Sequence, residues 1–242
     1  MDMSSPVGVS GQMALSRRLE TIASNVANAG TVGYKSEAVT FATVVSKTQP
    51  FQTSFAFDGG PHADLSAGGL KQTGNPLDVA VRGNGFLAIS TPQGTAYTRD
   101  GRLQMLPSGD IVSLSGHPVL DASGAPLTAD PDGGALDIAN DGTLHQKGRI
   151  VGVLGLFDID LSKGYGRYEN SAFLPTAAPV PVDDFARNGI VQGFTEESNV
   201  NPIQEMTRLI AVQRAFEAMS SGLEQRDQSL RETIQTLGAR SS

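Results

Sequence analysis

Apolar residues recur at helical spacing near both ends of the chain, with a long stretch of a different rhythm between them. Leu15, Leu19, Ile22 and Val26 are spaced four, three and four apart, which places them on one helix face. Ser5 and Pro6 supply a cap and a first helical position, and Asn28-Ala29-Gly30 supplies an exit, so the spacing predicts a helix over Ser5 to Asn28. Near the other end, Asn201 is placed to cap, Pro202 to open a helix, and Gln204 to complete a capping box. Leu209, Val212, Phe216, Met219, Leu223, Leu230 and Leu237 then alternate at three and four, with Arg226 and Thr233 in the two polar slots. This is a heptad seam. It runs without proline from Pro202 to Leu237, a helix of roughly 54 Å at ~1.5 Å per residue. Gly222 alone weakens it, by about 1 kcal/mol.

The middle follows another rule. Gln93-Gly94, Asp100-Gly101, Ser108-Gly109, Ser115-Gly116, Ser123-Gly124, Asp132-Gly133, Asp141-Gly142 and Lys147-Gly148 punctuate it. Short apolar or alternating runs lie between them, such as Leu77 to Val81, Phe86 to Ser90, Ile111 to Leu114 and Ile150 to Phe157. Short strands between turn signals predict an antiparallel β domain. Lys47 to Gly74, rich in Gln, Thr, Ser and Gly with scattered Phe51, Phe55 and Phe57, reads as an extended connector without a core. The expected architecture is α+β: a discontinuous, coiled-coil-like helical domain from 1–34 and 199–242, a connector over 35–75, and a β domain over 76–198. A two-helix hairpin leaves apolar surface uncovered, which calls for partners. The competing reading is an ordinary α+β protein whose end helices pack on its own sheet.

Composition narrows the function classes. Among 242 residues, 39% are hydrophobic, aromatics are 6% and Trp is absent. The formal net charge of −7 argues against nucleic acid, which needs a basic surface. With no cysteine there is no disulfide, thiolate metal site or cysteine nucleophile. No apolar run approaches the roughly 20 residues that span a bilayer, so no membrane insertion is expected. Met1 to Arg17 lacks a basic segment followed by an apolar core, so no cleavable secretory signal is expected.

Four segments carry a family resemblance. They are Ser24-Asn25-Val26-Ala27-Asn28-Ala29-Gly30-Thr31-Val32-Gly33-Tyr34-Lys35, Gly74 to Leu87, Ala96-Tyr97-Thr98-Arg99-Asp100-Gly101-Arg102-Leu103, and Gln192 to Met206 continued by Gln213-Arg214-Ala215-Phe216-Glu217. In that order they resemble the signatures of the flagellar basal-body rod family, the axial proteins of rod and hook. The opening Val7 to Leu15 and the total length resemble its proximal-rod members, with the distal-rod and hook members as the alternative. Val26 and Val32 are conservative departures from the pattern.

The resemblance implies a structural subunit, not an enzyme, with no cofactor. It would assemble into a helical tube that carries torque across the periplasm, with other rod subunits and copies of itself as partners. It would leave the cytoplasm through the flagellum's own type III export apparatus, without a cleavable signal. The assembly interface would comprise Leu15, Leu19, Ile22, Asn25, Val26, Asn28, Gly33, Tyr34, Asn199, Asn201, Met206 and the seam from Leu209 to Leu237. Asn25 and Asn28, three apart at a helix end, are placed to cap or cross-link. Gly30 and Gly33 let the chain leave the helix sharply. Tyr34 is expected to bury its ring and keep its hydroxyl wet.

Several constellations imitate catalysis. Gly83-x-Gly85-x-x-Ala88 mimics a dinucleotide fingerprint, but strand-like residues and Pro92 follow where a helix is required. Asp58, His62 and Asp64 sit in the connector, where a solvated loop is the better reading, and Asp130, Asp132 and Asp137 lack calcium-loop spacing, so turn chemistry explains them. His117 and His145 stand beside turns without a recognisable triad. The rival from another class is a secreted β-domain hydrolase or binding module, which a pocket with converging titratable groups would favour.

Overall fold

The computed structural model describes residues 4–46, 53–185 and 187–239. Two α-helices, α1 (Ser4–Ala27) and α2 (Pro202–Ala239), flank a series of short strands. Where pairing is resolved between those strands, it is antiparallel throughout. The chain divides into two compact units, one of residues 1–26, 37–62 and 201–242, the other of 27–36 and 63–200.

In the first unit, α2 begins as its sequence requires: Asn201 Oδ1 accepts from the Gln204 amide at 3.2 Å, an N-cap bond. Among the described residues of α2, Glu205 and Val212 are buried and Leu209, Phe216, Met219 and Leu223 half-buried, a stripe at three and four, with Ser220 and Arg226 half-buried as well. On α1, Ile22 is buried and Leu15, Leu19 and Val26 half-buried. The helices touch where Gln12 Nε2 donates to Ser220 Oγ at 3.0 Å. A Cβ on Gly11 would meet the end of the Met219 side chain, which would have to turn aside to admit it. The side chains of Leu230 and Leu237 lie outside the described residues. Glu37–Ser46 and Thr53–Ala63 form a two-stranded sheet. Strands therefore run through the stretch read as an extended connector. Its β-branched run Val39-Thr40-Phe41-Ala42-Thr43-Val44-Val45 favours them, and the expectation weighed the polar residues after it more heavily. Phe51 lies outside the described residues.

The second unit is built on a six-stranded sheet. Its order is Tyr165–Tyr168, Ala172–Pro175, Gly94–Thr98, Phe86–Thr91, Leu156–Asp158, Val180–Pro181. Phe86–Thr91 is apolar without alternation because both its faces are covered. Leu87 and Ile89 enter one core with Val79, Val81 and Leu154. Phe86 and Ala88 enter a second with Tyr97, Phe157 and Phe173. The second core is knit by edge-to-face rings, Phe86–Phe173 at 6.1 Å and Tyr97–Phe157 at 5.4 Å between centroids. The run expected over Ile150 to Phe157 is two strands, Arg149–Val153 and Leu156–Asp158, in different sheets. Gly155 breaks it: a Cβ there would lie 2.7 Å from the Asp121 carbonyl.

Candidate functional site

Residues 33–36 and 196–199 run side by side within the second unit. The Gly33 amide donates to the Glu196 carbonyl at 2.8 Å, and the Asn199 amide to the Tyr34 carbonyl at 3.4 Å. Asn199 completes the join with its side chain. Its Oδ1 accepts from the Ser36 amide at 2.8 Å, and its Nδ2 donates to the carbonyls of Asp64 at 2.8 Å and Ser66 at 3.2 Å. The Asn199 side chain thus takes the place of a missing backbone partner for three groups on two segments.

Three charges close behind this join. Lys35 Nζ lies 2.6 Å from Glu196 Oε1, and Arg99 Nη1 3.1 Å from Glu196 Oε2, with all three side chains about 1% exposed. Lys35 also donates to the Ser66 carbonyl at 2.6 Å, and the Gly68 amide donates to Glu196 Oε1 at 2.9 Å. Arg99 donates to the carbonyls of Val81 at 3.2 Å and Gly83 at 2.6 Å, and its guanidinium lies 4.5 Å from the Phe86 ring centroid. Burial lowers the Lys35 ammonium below its ordinary range, against the hydrogen bond and charge of Glu196 that raise it. Burial likewise lowers Arg99, with Glu196 opposing.

Tyr34 is 1% exposed, so its hydroxyl is not in solvent as expected; its ring lies under the Arg167 guanidinium at 4.5 Å, and Arg167 also donates to the Lys35 carbonyl. Gly33 has φ +69°, and a Cβ there would sit on the backbone of Arg99 and Asp100. The Gly33-Tyr34-Lys35 end of the first signature, Val81 and Gly83 of the second, Arg99 of the third and Glu196 to Asn199 of the fourth therefore meet at one place.

Asn25 works in the first unit. It is 2% exposed, donates to the Glu37 carbonyl at 2.8 Å and accepts from the Glu37 amide at 3.0 Å, as a neighbouring strand would. Its Nδ2 also lies 3.4 Å from the buried carboxylate of Glu205 on α2. Because Glu205 holds the inner position, Met206 is turned about 100° away and is 52% exposed. Asn28 accepts from Thr31 through both its carbonyl and its side chain, closing the turn after α1.

The catalytic look-alikes have other employment. A strand follows Gly83 and Gly85, and the Gly83 carbonyl serves Arg99. Asp64 accepts from the Ser66 amide at 2.9 Å, and Asp130 caps a short turn by accepting from the Asp132 amide at 3.0 Å. His117 Nε2 contacts Glu169 and the Tyr168 hydroxyl, each at 3.1 Å, while Ser115 donates to Glu169 at 2.8 Å. The serine is thus wired to the carboxylate and not to the imidazole, the wrong order for a nucleophile and its base. Sequence reading missed the charged trio. Its signal was a Lys, an Arg and a Glu set inside strand-like or signature segments, where a charge needs a buried partner.

One unit thus carries a clasp that joins two distant chain segments, and the other draws a helix from each end of the chain. Three family models match the chain: "Flagella basal body rod protein" over residues 6–35, "Flagellar hook protein FlgE/F/G D1 domain" over 80–146, and "Flagellar basal body rod FlgEFG protein C-terminal" over 191–236. The chain belongs to the flagellar basal-body rod protein family, and it is a structural component rather than an enzyme. The particular relatives are proteins named flagellar basal-body rod protein FlgF. That of Mesorhizobium japonicum is 49% identical over 97% of this chain and 98% of its own. That of Rhizobium meliloti is 43% identical over 96% of each. The flagellar basal-body rod protein FlgG of Bacillus subtilis is 30% identical over 94% of this chain and 96% of its own.

Proposed function

We propose that this chain is a subunit of the proximal flagellar rod, packed with copies of itself and with other rod proteins into a helical tube that transmits torque across the periplasm. The observation that carries the reading is near-full-length identity to FlgF proteins, which exceeds that to the FlgG relative. The terminal helices supply the assembly core, pairing in coiled-coil fashion along Leu15, Leu19 and Ile22 on α1 and Leu209, Val212, Phe216, Met219 and Leu223 on α2. Leu209, Phe216, Met219 and Leu223 are only half-buried within the chain, which leaves apolar surface for neighbours to cover. The subunit reaches the rod through the flagellar export apparatus.

Phe216→Asp tests this reading. A carboxylate on the seam cannot be buried between chains without a cost of several kcal/mol, while Phe216 lies far in sequence from the β unit. The variant should fold its β unit and fail to enter basal bodies. Normal incorporation of Phe216→Asp would overturn the seam as the assembly core.

A further inference from the structure

The backbone links between residues 33–36 and 196–199 do not by themselves specify a register. Any short extended pair offers the same alternating N–H and C=O groups, and a slip of one residue costs little where no side chain objects. The charged trio objects. Lys35 comes from one segment, Glu196 from the other, and Arg99 from the strand-turn between them, 161 and 97 residues from the shared carboxylate. A one-residue slip that turned Glu196 to the opposite face would leave Lys35 and Arg99 buried without a counter-charge, and one that turned Lys35 away would take from Glu196 one of its two ionic partners.

As a device for stability the trio is poor. Two cations share one carboxylate, all are about 1% exposed, and Arg99 Nε is buried without a hydrogen-bond partner. Buried ion clusters are often matched or bettered in stability by apolar residues of like volume, and their attested advantage is the choice of one arrangement over others.

We propose that Lys35, Arg99 and Glu196 are positioning residues: they fix the register in which the segment following α1 lies against the segment preceding α2, and so the points at which the chain leaves α1 and enters α2. Only the assembly readout below rests on the proposed rod function; the register readout does not.

The test is the full-length triple variant Lys35→Met, Arg99→Met, Glu196→Leu. It is compared with the unaltered protein by thermal unfolding, by amide NMR of residues 33–36 and 196–199, and by rescue of a strain lacking the native gene. The variant should unfold within a few degrees of the unaltered chain or above it. It should show doubled or broadened amide signals at those residues, and incorporation into basal bodies should fall about tenfold or more. A variant that does not fold, or unfolds far below the unaltered chain, would make the trio a stabilising element and overturn the proposal. A stable variant with a single sharp set of signals would overturn it as well, whatever its incorporation. Failure of the unaltered gene itself to rescue the strain would count against the rod function, and the NMR comparison would still decide the register.

Discussion

Two glycines of the same signature, three residues apart, should respond very differently to one added methyl group. At Gly30, φ is not in the left-handed region and nothing lies within 4 Å of where a Cβ would go. At Gly33, φ is +69°, and the Cβ would fall 2.8 Å from the Arg99 carbonyl oxygen and closer still to the Asp100 nitrogen, inside the 3.0 Å that real Cβ atoms keep. A non-glycine residue held in that backbone region costs about 1–2 kcal/mol. The overlap is with backbone, so either residues 99–100 or the Gly33 segment must move. The 2.8 Å bond from the Gly33 amide to Glu196 then weakens, at about 1 kcal/mol. Together Gly33→Ala should lose about 2–4 kcal/mol, which for a domain of this size is a fall in Tm of roughly 5–15 °C. Gly30→Ala should change Tm by no more than a degree or two. Thermal unfolding followed by far-ultraviolet circular dichroism on both single variants reads the difference. Equal melting of the two would refute the claim that Gly33 is required by close approach at the clasp.

Glu196→Gln strands two buried cations and should cost about 3–5 kcal/mol, whereas Lys35→Met leaves Arg99 and Glu196 paired one to one and should cost clearly less; chemical denaturation of both variants checks the order, and the reverse order would contradict the charge count. Asn25→Ala removes the partner of both backbone groups of Glu37 and should cost about 1–3 kcal/mol, seen as faster amide exchange at Glu37; unchanged exchange would count against the clamp. The hydroxyl of Ser123, with the amides of Ser123 and Ala125, holds the exposed Asp121 carboxyl below its ordinary value of 3.8. Because its folded value is lowered, the stability it contributes is present above pH 3.8 and lost as pH falls through that range. Asp121→Asn should therefore give a shallower loss of Tm between neutral and acid pH, by a modest amount for so exposed a group, and an unchanged acid slope would refute the assignment.

What the sequence showed and what it hid follow from the range of the forces. The terminal helices were legible because three-four periodicity and a cap are local, and Asn201 caps α2 as its position implied. The strand Phe86–Thr91 was legible as an apolar run, but its burial on both faces appears only when the Phe173 and Leu154 segments arrive from far along the chain. The clasp was hidden for the same reason. Lys35, Arg99 and Glu196 look like surface charges singly, and only folding brings them within 3.1 Å. Asn25 was singled out, but its use as a strand mimic required Glu37, placed by a strand that the polar stretch beyond it had obscured. The burial of Tyr34 beneath Arg167 was likewise set by a residue more than a hundred positions away.

Whether this chain is built into the flagellar rod can be seen by imaging basal bodies purified from cells that make it, at a resolution that distinguishes side chains. The expected density is a rod into which the clasp fits as a unit: Arg167 over Tyr34, Lys35 and Arg99 on Glu196, and the α2 seam from Leu209 to Leu223 covered by neighbouring subunits. A rod whose density is fully accounted for by other chains, with this one absent, would contradict the proposed function.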